Sequence, residues 1–322
     1  MNKVKILVYI SLVIMTINSP VVARNIKIPV ALVSPNKNLE LSFNFSPKGE
    51  ISYAFTVHGN QLIGKSNLGL TGIDGPVLIK TSRRSVRTVW NPVWGKRVSV
   101  ADVFNELTLD LKSYKIVARA YNDGVAFRYE YPSGKADQEL TEFNFTNNYT
   151  AWFYNGENAN IGPEKLSDSD GKRLPVMTVK VDDRKYLAIH EADLTSGDPL
   201  ALESKKGETL FKVASKPGTA WRVIMYGKTP GDLVDSHILE LLNPLPPKSM
   251  DFSWVKPGVA VWDWRINGAV VDDFKYEMSL PSWKRMVEFA SENNIKYLVL
   301  DADWYGPEFG KDSDPVKGGK VS

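Results

Sequence analysis

The sequence has no cysteine and only three histidines, His58, His190 and His237, which stand far apart. Disulfide staples and lipid attachment through an N-terminal cysteine are excluded, and zinc or iron–sulfur chemistry loses its usual ligands. A chain without disulfides must be held by a large hydrophobic core. No apolar run reaches the 18 residues expected of a membrane span, and there is no internal repeat or low-complexity block. Neither sign of charge dominates, with 40 Lys and Arg against 37 Asp and Glu. Nothing in that balance argues for nucleic acid or an anionic membrane as partner.

What the chain does have is length and aromatics. Its 322 residues suffice for two domains, and it carries nine Trp and thirteen Tyr. Trp and Tyr combine a flat apolar face with a polar tip, which suits sugar binding but equally fills β-sandwich cores. Residues 1–23 read as a secretory signal: Lys3 and Lys5, an apolar stretch from Ile6 to Ile17, then Val21-Val22-Ala23 as a small-residue cleavage site. Export to the periplasm without a membrane anchor is the expectation. Removing this segment takes away two lysines and no acids, which lowers the net charge from +3 to +1.

Residues 24–255 read as an all-β domain. Leu39 to Phe45 alternates apolar and polar, as a half-buried strand should, and Ile51 to Val57 follows it. Further strand-like runs are Leu107 to Leu111, Tyr114 to Ala120, Val125 to Tyr131, Glu142 to Phe145, Met177 to Val181, Tyr186 to Ile189, Phe211 to Val213 and Trp221 to Tyr226. Turn residues separate them, and a large antiparallel sandwich fits. Gly59 to Ser66 matches the phosphate-loop pattern letter for letter, but no helical pattern follows it, so a hairpin with its turn at Gly59-Asn60 is the expected structure. Arg119, Asn122, Asp123 and Arg128 invite a catalytic reading. A turn at Asn122-Asp123-Gly124, with arginines bracing strands through carboxylates such as Glu130, accounts for them better.

Leu239 to Pro247 reads as a stiff extended connector, with three prolines in its last four positions. The period then changes. Val259 to Val261 is a short apolar strand expected to be buried on both faces. Pro281 to Asn293 is a helix with Trp283, Met286, Val287 and Ala290 on its inner face, and Ile295 to Leu300 is a second buried strand. A long loop, Arg265 to Leu280, follows the first strand. Strand, helix, strand is the opening of a (β/α)8 barrel, whose chemistry sits at strand C-terminal ends. Residues 256–322 are expected to be the beginning of such a barrel, since a full one takes about 250 residues. Two parallel strands alone leave open edges. The expected fold class is therefore mixed: a large antiparallel β super-sandwich, then the first βαβ portion of an incomplete (β/α)8 barrel.

Across the mature chain the strings SNLGL (66–70), RTVWNPVWGKR (87–97), RAYNDGVAFRYEY (119–131), TEFNF (141–145), IHEADL (189–194), WRVIMYGKTPGDLVDS (221–236), SWVKPG (253–258), VAVWDW (259–264) and VEFASENNIKYLVLDADWYG (287–306) occur in one order and spacing. In these the sequence resembles glycoside hydrolase family 97, a group of exported bacterial α-glucosidases and α-galactosidases. The resemblance implies an N-terminal β super-sandwich, a central (β/α)8 barrel and a C-terminal β domain, of which this chain would hold the first and the front of the second. It also implies an oligosaccharide substrate with α-linked glucose or galactose. The acid and the base or nucleophile would be carboxylates on later strands, so no catalytic residue is expected before Ser322. Glu191, in IHEADL, is the position implied to help bind a calcium ion beside the substrate, the other ligands lying further on.

Trp264, Asp303 and Trp304 are the candidate substrate-binding residues. Each stands where a barrel strand ends; a carboxylate there can accept from sugar hydroxyls and an indole can stack on the ring. Asp263 and Asp301 share that location and fit loop capping better. A non-catalytic carbohydrate-binding sandwich and a plain structural β domain are the competing functions.

Overall fold

The computed structural model describes residues 29–316 apart from positions 48, 94, 133, 248, 303, 308, 309, 312 and 315. The leader expected at 1–23 lies outside the described residues. The chain divides into two compact units between Leu245 and Pro246.

The first unit opens with a four-stranded antiparallel sheet in chain order: β1 (Val30–Val33), β2 (Leu39–Phe45), β3 (Ile51–Val57) and β4 (Asn60–Leu68). Period-2 alternation sends Leu39, Leu41 and Phe43 into the core and leaves Glu40, Ser42 and Asn44 on the other face. The turn between β3 and β4 is centred one residue earlier than expected. His58 and Gly59 both take positive φ, 48° and 81°, as a type I′ hairpin turn requires. The phosphate-loop lookalike is thus strand β4, paired in antiparallel register with β3.

Twelve strands form the second sheet. They are β5 (Lys80–Trp90), β6 (Val100–Asp110), β7 (Lys115–Ala120), β8 (Gly124–Glu130), β9 (Glu142–Asn144), β10 (Thr150–Tyr154), β11 (Ile161–Lys165), β12 (Gly171–Asp182), β13 (Lys185–Ala192), β14 (Leu202–Ser204), β15 (Leu210–Val213) and β16 (Trp221–Gly227). Their order is β5-β6-β7-β8-β16-β13-β12-β14-β15-β9, with β10 lying between β11 and β12. The main core lies between the two sheets, where Leu41, Phe43 and Phe55 meet Leu107, Ile116, Phe127 and Ile224. Each such side chain contributes about 1.5–3 kcal/mol on burial, which is how a cysteine-free domain of this size holds together.

The all-β expectation for this unit needs one correction. Two short helices follow β16: α1 (Pro230–Asp235) and α2 (Ile238–Leu241). Thr229 and Asp232 close a capping box at the start of α1, with Pro230 in its first turn. Leu233, Ile238 and Leu242 cover the far face of the large sheet over Ala126, Ala188, Trp221, Val223 and Met225. Strand β16 is consequently buried on both faces, all seven residues of it. The expected extended connector is therefore helical as far as Leu241, because Leu239 and Leu241 have an apolar sheet face to pack on; irregular chain begins at Asn243.

In the second unit β17 (Ala260–Trp262) is followed by the single turn α3 (Asp263–Ile266), then β18 (Val270–Val271), β19 (Phe274–Lys275), α4 (Leu280–Glu292) and β20 (Tyr297–Val299). Strands β17 and β20 pair in parallel, Val261 opposite Leu298, and α4 packs against both. The expected helix is present, starting one residue early. Three expectations fail in detail. The loop from Arg265 to Leu280 contains α3 and a hairpin, whose turn residues Asp272 and Asp273 take φ of 49° and 60°. Val287 points outward, and α4 buries Ser282, Met286 and Ala290 instead. The strands are not buried on both faces: Val259 is 71 % exposed and Val299 44 %, because among the described residues α4 is the one helix packed on the pair.

Candidate functional site

Glu191 sits near the end of β13, directly opposite Arg222 of β16. Both alternate out of phase with the apolar residues on the helix-covered face, so both point to the sandwich side. Arg222 is 1 % exposed, and a guanidinium there requires full compensation. Glu139 supplies it in a bidentate fork: Nε donates to Oε1 at 2.9 Å and Nη2 to Oε2 at 2.6 Å. Burial acts against the arginine's charge, but Glu139 outweighs it and holds the arginine above its ordinary pKa. The fork matches one positive charge with one negative, so Glu191 adds a further negative charge to the cluster. Its Oε1 accepts from the Leu200 amide at 2.9 Å, while Oε2 lies 3.5 Å from Arg222 Nη1, at the limit of a hydrogen bond. Glu191 Oε2 is thus a lightly held oxygen on a side chain 11 % exposed.

The neighbouring charges are engaged elsewhere. Asp193, at φ 57°, accepts from Arg128 Nη1 at 3.2 Å, and Arg128 also reaches Glu130 at 2.8 Å. Arg128 and Arg119 lie over the ring of Trp221 at 4.7 and 4.9 Å. Arg119 donates to Glu106, which also takes a fork from Arg84. Burial pushes Glu106 up, yet these two arginines overcome it and hold its carboxyl below the usual range. The arginines therefore brace strands. Asn122-Asp123-Gly124 is a turn, closed by the Tyr121 amide on the Gly124 carbonyl at 2.8 Å. Beside Glu191, burial lowers the pKa of His190, and its Nδ1 accepts from the Glu191 amide at 2.7 Å. A neutral ring of that kind has no charge with which to compete for Glu191.

A calcium ion takes six to eight oxygens. Glu191 suits one of those positions, offering excess charge and an oxygen with spare capacity. Among the described residues no three His, Cys, Asp or Glu side chains converge as a metal site.

The strand-end candidates separate into two kinds. Asp263 is 1 % exposed and accepts from Trp283 Nε1 at 2.8 Å and from the Asp301 amide at 3.0 Å. It ties the ends of both strands to α4. Asp301 accepts from Trp262 Nε1 at 2.6 Å. These are capping carboxylates. Trp264, in α3, is 46 % exposed, leaving indole surface available. Trp304 meets Tyr305 edge-on at 5.2 Å. Asp303 lies outside the described residues. Sequence reasoning missed Glu139 and Arg222. The signal for Arg222 was a single charge inside WRVIMY, a run otherwise apolar enough to be buried on both faces.

The fold defines a class before a family. Solved structures that share it include a variant of a Glycoside Hydrolase Family 97 enzyme from Pseudoalteromonas sp. strain K8 in complex with panose, with a TM-score of 0.69 at 24 % identity. That alignment covers 89 % of this chain and 52 % of the other. The same enzyme in complex with acarbose gives 0.69 at 25 % identity, over the same shares of the two chains. A beta-arabinopyranosidase gives 0.68 at 19 %, covering 84 % of this chain and 50 % of the other. In sequence, residues 32–244 match the family model described as Glycosyl-hydrolase 97 N-terminal. The chain belongs to glycoside hydrolase family 97. It is 26 % identical to a retaining alpha-galactosidase of Bacteroides thetaiotaomicron, over 85 % of this chain and 50 % of that protein. It is also 26 % identical to a probable retaining alpha-galactosidase of Streptomyces bingchenggensis, over 86 % of this chain and 46 % of the relative. The chain spans about half the length of these curated relatives.

Proposed function

We propose that this chain is the N-terminal part of an exported, calcium-assisted α-glycoside hydrolase acting on oligosaccharides with α-linked galactose or glucose. Membership of the family and the names of its relatives support the reaction class. The observation that carries the chain's own role is Glu191, an excess carboxylate with a lightly held oxygen beside an arginine that Glu139 already neutralises. Residues 24–255 are the sandwich domain in this reading. Residues 256–322 open the catalytic barrel, with β17, α4 and β20 as its first strand–helix–strand. The exposed apolar residues on that parallel pair support this assignment, because such strands are normally covered on both faces.

Bound calcium would supply positive charge beside the reacting sugar. Glu191 would hold one side of it, and Arg222, fixed by Glu139, would orient Glu191. Trp264, Asp303 and Trp304 would form part of the sugar-binding wall. The acid and the nucleophile or base would come from sequence beyond Ser322. Asp263 and Asp301 do not compete for those roles, since both carboxylates are occupied by indole N–H donors. A retaining mechanism needs two carboxyl groups about 5–5.5 Å apart flanking the bond.

The test uses the complete reading frame that contains this chain. It should continue past Ser322, in frame or after one frameshift, into further strand–helix units, and unrelated sequence there would overturn the barrel reading. The full-length protein should hydrolyse 4-nitrophenyl α-galactoside or α-glucoside and lose activity in EGTA. Glu191→Gln should abolish the calcium-dependent rise in its melting temperature. The purified 322-residue chain should show no turnover, and turnover would refute the placement of the acid and base.

A further inference from the structure

The chain that leaves β13 after Glu191 returns to that same side chain nine residues later. Ala192 and Leu200 are both buried, while residues 194–199 between them are exposed. The Leu200 amide then donates to Glu191 Oε1 at 2.9 Å. The carboxylate therefore takes its setting from wherever the loop delivers that amide. Loops so exposed are normally mobile, and this one is held at two points.

At the base of the loop, Asp193 takes a φ of 57°, a left-handed conformation that Asp tolerates better than most residues. Its carboxylate accepts from Arg128 Nη1 at 3.2 Å, and Arg128 is itself stacked on the buried Trp221 ring. The Asp193 side chain is 12 % exposed, so water and salt screen this pair less than one in the open. At the tip, Gly197 meets Gly218 backbone against backbone. A Cβ on Gly218 would run into the Ser196 carbonyl oxygen, and one on Gly197 would stand 2.7 Å from Gly218 Cα. Neither glycine has room for a side chain unless the main chain moves. The Thr219 amide donates to Ser196 Oγ at 3.2 Å, and the two hydroxyls meet at 3.0 Å. Gly218 and Thr219 lead directly into Trp221 and Arg222 of β16. The loop is thus keyed to the strand whose arginine stands opposite Glu191.

Closing the loop needs no charge, since a glutamine at 191 would accept the same amide. What the two clamps add is a fixed direction for Glu191 Oε2, the oxygen that Arg222 only just reaches at 3.5 Å. We infer that Asp193 and Gly218 are positioning residues for Glu191, setting the loop so that the Leu200 amide holds Oε1 and leaves Oε2 for a divalent cation. The purpose rests on the reading of Glu191 as a calcium ligand; the clamping does not, because it belongs to the chain without the ion. Outer-shell partners that orient a metal ligand are typically worth about 10–100-fold in metal affinity.

The experiment has two arms. The first is amide NMR and hydrogen exchange on the metal-free 322-residue chain. The Leu200 amide, donating to a carboxylate, should resonate downfield and exchange slowly. Gly218→Ala and Asp193→Ala should each move its signal toward its position in Glu191→Ala and speed its exchange about tenfold. Amides of β2 and β3 should not change, which a general loss of stability would not spare. Asp193→Asn keeps the left-handed preference and an oxygen for Arg128, so it should match the parent. The second arm is calcium titration of the full-length protein, read by its melting temperature. There Gly218→Ala and Asp193→Ala should each weaken calcium binding about tenfold or more, and Asp193→Asn should not. A Leu200 amide unmoved in both alanine variants overturns the clamping, whatever calcium does. A moved amide with calcium affinity unchanged overturns the role toward the ion. A parent protein that calcium does not stabilise overturns Glu191 as a ligand, while the first arm still reports on the clamp.

Discussion

Replacing Glu139 by glutamine tests the charge cluster most directly. The amide keeps the shape of the side chain but removes the charge and one of the two bonds to Arg222, whose guanidinium is 1 % exposed. Breaking a buried pair by removing one partner costs about 3–5 kcal/mol, because the remaining charge is left uncompensated. Glu191 is still 3.5 Å away and offsets part of this, so the expected loss is about 3 kcal/mol, at the lower end of that range. For a domain of this size that is a fall in melting temperature of about 6–12 °C. The assay is thermal and urea unfolding of the full chain at pH 7. Removing both groups, as Glu139→Leu with Arg222→Met, should recover most of the loss, since an apolar pair of similar volume leaves no stranded charge. The reasoning is refuted if Glu139→Gln costs less than about 1 kcal/mol, or if the double variant is as damaged as the single. Under the function proposed, the same substitution should also abolish calcium stabilisation of the full-length protein with Glu191 untouched, because among the described residues Glu191 is then the remaining counterion of Arg222.

Asp102 should behave in the opposite sense. Burial raises its pKa, with Arg119 offsetting only part of the effect, and its Oδ1 has no partner among the described residues. A carboxyl raised in the folded state destabilises the fold where it is charged. The penalty is absent below the unfolded pKa and complete above the folded one. Asp102→Asn should therefore stabilise the chain at pH 7 by less than about 1 kcal/mol, given the partial exposure. In unfolding measured across pH, that gain should vanish below about pH 4; a gain independent of pH would refute the cause. Asp263→Ala should unpair the Trp283 indole and the Asp301 amide, costing about 1–3 kcal/mol locally. Hydrogen exchange of the full chain should then show faster exchange in α4 and β20 with the sandwich unaffected, and unchanged protection would remove Asp263 as the brace.

Much of the fold was legible because a half-buried strand writes its geometry as alternation. Leu39–Phe45 and Ile51–Val57 have the bounds that pattern gives. Strand β5, Lys80–Trp90, did not announce itself. Its eleven residues pair along their whole length with β6, yet most are exposed on both faces, so hydrogen bonding rather than burial holds them and no apolar period results. Helices α1 and α2 are too short to show a 3.6 period, and the prolines after them read as the start of extended chain. In the site, Glu191 came from resemblance, whereas Glu139 could not have. It is joined to Arg222 across 83 positions of sequence, and a contact at that range has no local pattern.

The doubly covered strand β16 explains why a sandwich of this kind suits the role proposed for it. Trp221, Val223 and Met225 are held under α1 and α2, while Ile224 and Tyr226 pack into the main core. Arg222 is therefore anchored on a backbone with little freedom, and the Glu139 fork removes most of what its long side chain retains. A carboxylate placed next to such a group inherits its rigidity, and a metal ligand positioned within about 0.5 Å is worth more than a closer one that wanders. The sugar is a separate matter. A beta-arabinopyranosidase and an enzyme seen with panose match this chain with TM-scores of 0.68 and 0.69. Proteins with different ligands thus share the sandwich, so its shape alone does not choose the substrate. Under the function proposed, the sandwich gives a fixed negative charge, and the choice between galactose and glucose falls to the loops after the barrel strands, where Trp264 and Trp304 stand.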